Sequence, residues 1–198
     1  DIKESDPRIA ESYFVEAEKN FMIEDYAKAL ILFQKVLEVQ SKNAAAQFKI
    51  AQIYTESDEI DKALTYAQQA VINDPNNKFY YILLAEIFTK KSDYSHATET
   101  YEKLINTIPG TDEFLFELAA LYMYQKDFNN ALKCYNRIEE KFGVNEQVCL
   151  QRKDIYKKQG KLDKVIEEGN KLIDAYSDEP EYVILQANTL IANDMTKE

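Results

Sequence analysis

The sequence is poor in residues that break helices and in those that carry most catalytic chemistry. Its 198 residues include four glycines, four prolines, two cysteines, one histidine and no tryptophan. Scarce glycine and proline favour helix, because these two residues are the most costly in a helix interior. Two cysteines are too few for a disulfide framework, and we expect Cys134 and Cys149 to be small buried side chains. No apolar run approaches the roughly 20 residues that cross a bilayer, which predicts no membrane insertion by this segment.

Basic residues are also in the minority. The chain has 24 Lys and Arg against 35 Asp and Glu, which gives a formal net charge of −11. A surface this acidic repels phosphate groups, so the composition argues against nucleic acid as a partner. The sequence begins at Asp1 and shows no signal-like segment. A cytoplasmic location is therefore slightly favoured, and export stays open.

The side chains that are present form no catalytic constellation. His96 is the single histidine, and the sequence offers no Ser/His/Asp set, no evident Cys/His pair and no metal-ligand spacing. We expect His96 to be a solvated surface residue. A basic cluster fits a solvated surface and a helix C-terminus better than an anion site: Arg152, Lys153, Lys157, Lys158, Lys161 and Lys164. The sequence predicts no enzyme, no cofactor and no metal site.

A period of 34 residues organises the chain. Small residues recur at this offset in two columns without insertion or deletion: Ala17, Ala51, Ala85 and Ala119, and Ala29, Ala63, Ala97 and Ala131. Helices approach closely only where the contact residue is small, so each unit predicts two helices that meet at these alanines. One hairpin cannot bury two apolar faces alone, and neighbouring hairpins are therefore expected to stack into a solenoid.

The pattern resembles the tetratricopeptide repeat family, and the segment Asn73-Asp74-Pro75-Asn76-Asn77 resembles the end of that family's repeat. The resemblance implies an all-α fold, an α-α superhelix that is a right-handed solenoid of antiparallel helix pairs. It divides the chain into a lead-in, five tandem repeats and the first helix of a sixth, truncated repeat: 1–9, then 10–43, 44–77, 78–111, 112–145 and 146–179, then 180–198. The fifth repeat departs most, because Arg152, Lys153 and Gly169 replace large apolar, small and aromatic residues. Since the sequence stops inside a hairpin, we expect a longer repeat protein.

In that family, the first helices of successive repeats line a concave groove that binds peptides. The resemblance implies such a groove here, built from an apolar row and, one helical turn further on, a mostly polar and partly acidic row. The predicted groove residues are Phe14, Glu18, Phe48, Gln52, Ile82, Glu86, Phe116, Leu150 and Asp154. Core packing of the apolar row is an alternative of equal weight. Phe14 and Glu18 stand where relatives that clamp a chaperone carboxylate carry lysine and asparagine, which argues against that ligand.

The sequence thus predicts a protein-interaction scaffold. Its expected partner is a protein or peptide with apolar anchors and some positive charge, held as a peptide or a helix in the groove. Two alternatives stay open. One is a structural or regulatory module of a longer protein whose activity lies outside this segment. The other is self-association, as a homodimer through the unpaired last helix.

Overall fold

A computed structural model describes residues 7–193, and this part of the chain is entirely helical. It contains a short 3-10 turn at Asp112–Phe114 and eleven α-helices: α1 Pro7–Met22, α2 Tyr26–Val39, α3 Ala44–Glu56, α4 Ile60–Asn73, α5 Lys78–Lys90, α6 Tyr94–Thr107, α7 Leu115–Tyr124, α8 Phe128–Phe142, α9 Glu146–Lys158, α10 Leu162–Ala175 and α11 Pro180–Ala192. The all-α fold class is confirmed. The predicted lead-in before Pro7 and the predicted stop at Thr196–Glu198 lie outside the described residues.

The helices pair in chain order within two compact units. Unit 1 ends at Thr111 and contains the hairpins α1/α2, α3/α4 and α5/α6. Unit 2 begins at Asp112 and contains α7/α8 and α9/α10, with α11 packed on α10. The division falls between the third and fourth predicted repeats.

The two alanine columns form the contact between the helices of each hairpin. All eight alanines have no exposed surface, as the close approach of two helices requires. Large side chains four residues further on fill the wider spaces, among them Phe33, Tyr101 and Tyr135, which are also buried. The small-residue period of the sequence therefore identifies the core of each hairpin.

A second 34-residue column shapes the turn inside each hairpin. One residue per turn has a left-handed backbone, with φ between 58° and 68°: Glu24, Asp58, Ser92, Lys126 and Gly160. The next residue precedes the second helix, and in three turns it is an aspartate that accepts a hydrogen bond from the N–H three residues on, at 3.1–3.3 Å: Asp25, Asp93 and Asp127. Such capping satisfies a backbone donor that the helix itself leaves unpaired. Glu59 and Lys161 occupy this position without a side-chain cap.

The fifth hairpin corrects the interpretation of the basic cluster as a solvated surface. Arg152 and Lys153 are only 2% and 4% exposed, so for these two residues that prediction was wrong. They follow Leu118 and Ala119 by one period and therefore occupy positions that face neighbouring helices. The remaining lysines of the cluster are exposed, as predicted: Lys157, Lys158, Lys161 and Lys164.

Arg152 is accommodated by an ion-pair cluster between three helices. Its guanidinium pairs with Glu139 of α8 and, at 3.1 Å, with Glu168 of α10. Lys171 lies 3.1 Å from both carboxylates. Two cations thus balance two carboxylates, which is the condition under which buried charges are tolerated.

Gly169 has a packing role in the same hairpin. A Cβ at this position would overlap the side-chain amide of Gln186 in α11. That amide donates to the Ile166 carbonyl at 2.9 Å and to the Asn170 side chain at 3.1 Å. The missing side chain therefore makes room for a polar contact between α10 and α11.

Candidate functional site: the first-helix face

The apolar row of unit 1 lies on its three first helices. Phe14 on α1, Phe48 on α3 and Ile82 on α5 are all half-buried. The Phe14 ring meets the edge of Phe33 at 5.4 Å, and the Phe48 ring lies 4.9 Å from that of Tyr80. Each aromatic side chain thus packs against the hairpins on one side and keeps exposed surface on the other.

The polar row beside it carries less free negative charge than its composition indicates. Glu18 on α1 pairs with Lys49 of α3 at 3.2 Å, and the same ammonium lies 4.3 Å from the centre of the Phe21 ring. This contact links α1 to α3 and neutralises Glu18. Gln52 is half-buried, and Glu86 is exposed on α5. Glu86 is thus the predicted residue of this row in unit 1 that offers an exposed carboxylate.

Phe79 belongs to this face, and the sequence reasoning missed it. It lies three residues before Ile82 on α5, so the two side chains share one face of the helix, and it is 58% exposed. An exposed phenylalanine is unusual enough to mark a contact surface when other apolar side chains adjoin it. The signal that could have found it is the i,i+3 spacing to Ile82, which the search along a single column did not test.

In unit 2 the same two rows show the same features. Phe116 on α7 is half-buried, and Leu150 on α9 is 38% exposed. Asp154 lies one turn beyond Leu150 and pairs with Lys158 at 2.6 Å. The acidic residue is again neutralised within the chain, while the apolar residues keep exposed surface.

The cavities described in unit 1 lie away from these rows. One of about 570 Å³ opens at the front of the first hairpin, where Tyr13 and Val15 of α1 meet Leu32 of α2. A second, of about 280 Å³, lies between Ile9 and Val39. The apolar row is therefore an open surface, which suits an extended or helical segment of a partner better than an enclosed small molecule.

Three potential metal ligands approach one another in unit 2. One ligand atom each of Glu139, Cys149 and Glu168 lies within 4.8 Å of the others. Both carboxylates are already paired with Arg152 and Lys171. Burial, together with the charge of Glu168, raises the pKa of the Cys149 thiol to about 11, so the thiol stays protonated at neutral pH. These residues form an ion-pair cluster around a buried thiol.

The remaining residues with catalytic potential have structural roles. His96 is exposed, as predicted; its Nδ1 lies 2.7 Å from Asp93, and its ring stacks on Phe88 at 5.1 Å. Cys134 and Cys149 are both free and buried, as predicted. None of the helices described over 7–193 combines the length and the apolar character that a bilayer span needs.

Comparison with known proteins agrees with this architecture. Two sequence models of the tetratricopeptide repeat match, one over residues 24–87 and one over residues 113–143. A search of curated protein sequences found no match.

Similar solved structures also belong to tetratricopeptide proteins. YrrB, described as a TPR protein with an unusual peptide-binding site, is 17% identical, with 93% of this chain and 94% of that chain covered and a TM-score of 0.67. A structure of MamA protein is 15% identical over 88% of this chain and 95% of that chain, also with a TM-score of 0.67. A tetratricopeptide repeat protein from Parabacteroides merdae ATCC 43184 is 16% identical over 95% of this chain and 75% of that chain, with a TM-score of 0.67. At these identities the likeness establishes the fold.

The alanine columns, the helical hairpins at a spacing of 34 residues and the two matching repeat models all lead to the same assignment. This chain belongs to the tetratricopeptide repeat family.

Proposed function

We propose that this chain is a protein-interaction scaffold that holds a peptide or a helix of its partner against the first-helix face of unit 1. We define that face by Phe14, Phe48, Phe79, Ile82 and Glu86. The tetratricopeptide fold is in general that of a protein–protein interaction scaffold. The proposal adds the face, the kind of ligand and the residues that contact it.

The observation that carries the proposal is an apolar row in excess of what the core needs. The alanine columns and the residues beside them already fill each hairpin with fully buried side chains. Phe14, Phe48 and Ile82 are half-buried and Phe79 is exposed, so their outer surfaces remain in contact with water. Covering these surfaces with a partner's apolar side chains is favourable by about 25 cal/mol per Å².

The ligand chemistry follows from the two rows. Apolar anchors spaced along a peptide or helix fit the row from Phe14 to Ile82. Lys49 neutralises Glu18, so a positive charge on the partner has a free counterpart chiefly at Glu86. We therefore expect apolar contacts to dominate the affinity and a basic residue near Glu86 to assist.

The family relationship supports binding rather than catalysis. Tetratricopeptide proteins are generally scaffolds without catalytic activity of their own, and we propose the same for this chain. YrrB is described as having a peptide-binding site, and the shared fold makes peptide binding a reasonable hypothesis here. The equivalent residues of unit 2, Phe116, Leu150 and Asp154, are proposed as further contacts of the same kind.

The test begins with a selection of binders from a displayed library of random 16-residue peptides on the immobilised full chain. Affinity of the selected peptides is then measured by fluorescence anisotropy for Phe79→Glu and for Phe142→Glu. These two phenylalanines are almost equally exposed, at 58% and 57%, but Phe142 ends α8, a second helix outside the proposed face. The comparison therefore isolates position from the chemical change, and neither substitution disturbs a buried side chain.

We expect the selected peptides to carry two or more apolar anchors. Phe79→Glu should weaken them at least tenfold, and Phe142→Glu by less than about twofold, because an apolar anchor buried at an interface contributes at least about 1.4 kcal/mol. Equal affinity for both variants, or loss of binding only in Phe142→Glu, would show that the face is not the binding site.

A further inference from the structure

The last described helix, α11, has an apolar face that the rest of the described chain leaves open. The helix packs on α10 and carries no charged residue from Tyr182 to Ala192. Val183, Ala187 and Ile191 lie one turn apart along one side. All three are exposed, Val183 to 53% and Ile191 to 61%.

The equivalent positions of the preceding first helices are covered. One period earlier Val183 corresponds to Cys149 and Ala187 to Lys153, and two periods earlier to Leu115 and Ala119. These four residues are at most 4% exposed, because the second helix of the same hairpin runs antiparallel over them. The open side of α11 is thus the surface that in each earlier hairpin receives an antiparallel helix.

We infer that α11 of a second copy of this chain occupies that position, so that two copies form a symmetric dimer through an antiparallel α11 pair. The spacing i, i+4, i+8 is symmetric about Ala187. In an antiparallel pair, Ala187 would therefore meet its own counterpart, and Val183 of each copy would face Ile191 of the other. A small residue at the crossing point is also what the hairpins of this chain use. A self-complementary patch of this kind is what a two-fold interface requires.

Charge favours a second copy at this face over other contacts between copies. Each chain carries a net charge of −11, so most contacts between two copies bring acidic surfaces together. The α11 face contributes no charged side chain between residues 182 and 192, and its apolar side chains can be buried without that repulsion. A single helix pair falls in the class of small interfaces below about 1,200 Å², so the dimer should be weak and reversible.

Analytical ultracentrifugation of the full chain tests the inference, over about 1 μM to about 1 mM, the range in which so small an interface dissociates. We expect a monomer–dimer equilibrium that Ala187→Arg weakens at least tenfold, since two guanidinium groups would meet at the crossing point. Gln147→Arg adds the same charge at an exposed position of α9 and should leave the equilibrium unchanged. Helical content and melting temperature of both variants establish that they are folded.

Oxidative cross-linking tests the register. Ala187→Cys should form a disulfide-linked dimer under mild oxidation, whereas Gln147→Cys should not, and the native Cys134 and Cys149 are buried and remain unreactive. A chain that is monomeric throughout, a dimer that Ala187→Arg leaves intact, or cross-linking at residue 147 rather than 187 would overturn the inference. Phe79→Glu should leave the dimer unchanged, so failure of this inference and failure of the proposed binding face are distinguishable.

Discussion

Replacing Arg152 with leucine should destabilise unit 2, even though leucine is the residue at the equivalent position of two other hairpins. Leu84 and Leu118 stand two periods and one period before Arg152, and both are buried. Arg152 differs because it pairs with Glu139 and Glu168, and Glu168 is 3% exposed. Without the guanidinium, this carboxylate would remain buried with only Lys171 beside it.

The magnitude follows from the cost of an incompletely paired buried charge. Removing one partner of a buried ion pair costs about 3–5 kcal/mol. Lys171 stays 3.1 Å from both carboxylates, and the side chain of Glu139 keeps 22% of its surface in water. We therefore expect Arg152→Leu to lower the free energy of unfolding of unit 2 by about 3 kcal/mol, at the low end of that range.

The double variant Arg152→Leu/Glu168→Leu should recover most of this loss. It removes the orphaned carboxylate together with its partner and places apolar side chains at positions that are apolar in other hairpins, such as Leu118 and Leu32. Well-packed apolar replacements of buried ion pairs are often neutral or stabilising. We expect the double variant to unfold within about 1 kcal/mol of the native chain.

Urea unfolding followed by hydrogen exchange of the α9 and α10 amides measures unit 2 by itself. Lys158→Leu is the matched control, because it removes an ion pair to Asp154 whose side chains are both 51% exposed, and such pairs contribute at most about 1 kcal/mol. An Arg152→Leu chain as stable as the native one, or a double variant as unstable as the single one, would refute the reasoning.

Three further predictions concern unit 2. The Cys149 thiol has its pKa raised from 9.0 to about 11 by burial, so its contribution is complete below pH 9 and is lost as pH rises toward 11; unit 2 should lose about 2 kcal/mol over that interval, and Cys149→Ala should flatten the pH dependence of urea unfolding there. Lys161→Asp should raise the free energy of unfolding by about 1 kcal/mol, because it supplies the cap that α10 lacks; Lys161→Asn, a cap without the charge, should retain most of that gain, and no gain from either would contradict the capping argument. Gly169→Ala should lower the melting temperature, because the new methyl group overlaps the Gln186 amide; Gln186→Ala in the same chain should restore part of the loss, and equal melting temperatures for the two Gly169→Ala chains would contradict the overlap.

The sequence was sufficient to predict the hairpins because their core repeats without insertions. Small residues such as Ala51 and Ala63 are required wherever two helices touch, and a 34-residue offset shows them directly. The helix borders around Asp58 also followed from the pattern, since α3 ends at Glu56 and α4 begins at Ile60. Local chemistry and spacing determine these features, and both can be read from one chain.

Features that depend on partners distant in the sequence could not be predicted in the same way. Arg152 looked like part of a surface cluster because its partners, Glu139 and Glu168, lie on other helices. Glu18 looked like free negative charge because its lysine, Lys49, belongs to the next hairpin. Phe79 was missed because it stands outside the column that defined the row.

The left-handed turn residues were missed for a different reason. Glu24, Ser92 and Lys126 adopt φ near 60° without being glycine, and only Gly160 carries the residue type that signals this conformation. The turn geometry is fixed by the pairing of the two helices, and it is imposed on whatever residue stands there.

The most direct test of the central claim is methyl NMR of the full chain during titration with a library-selected peptide. Ile82 lies on the proposed binding face, while Ile72 is exposed on α4, a second helix, so the two isoleucines report on different surfaces of unit 1. We predict that the Ile82 methyl signal shifts to saturation at the Kd measured by anisotropy while the Ile72 signal stays in place. A shift at Ile72 with Ile82 unchanged would contradict the proposal that the first helices bind the partner.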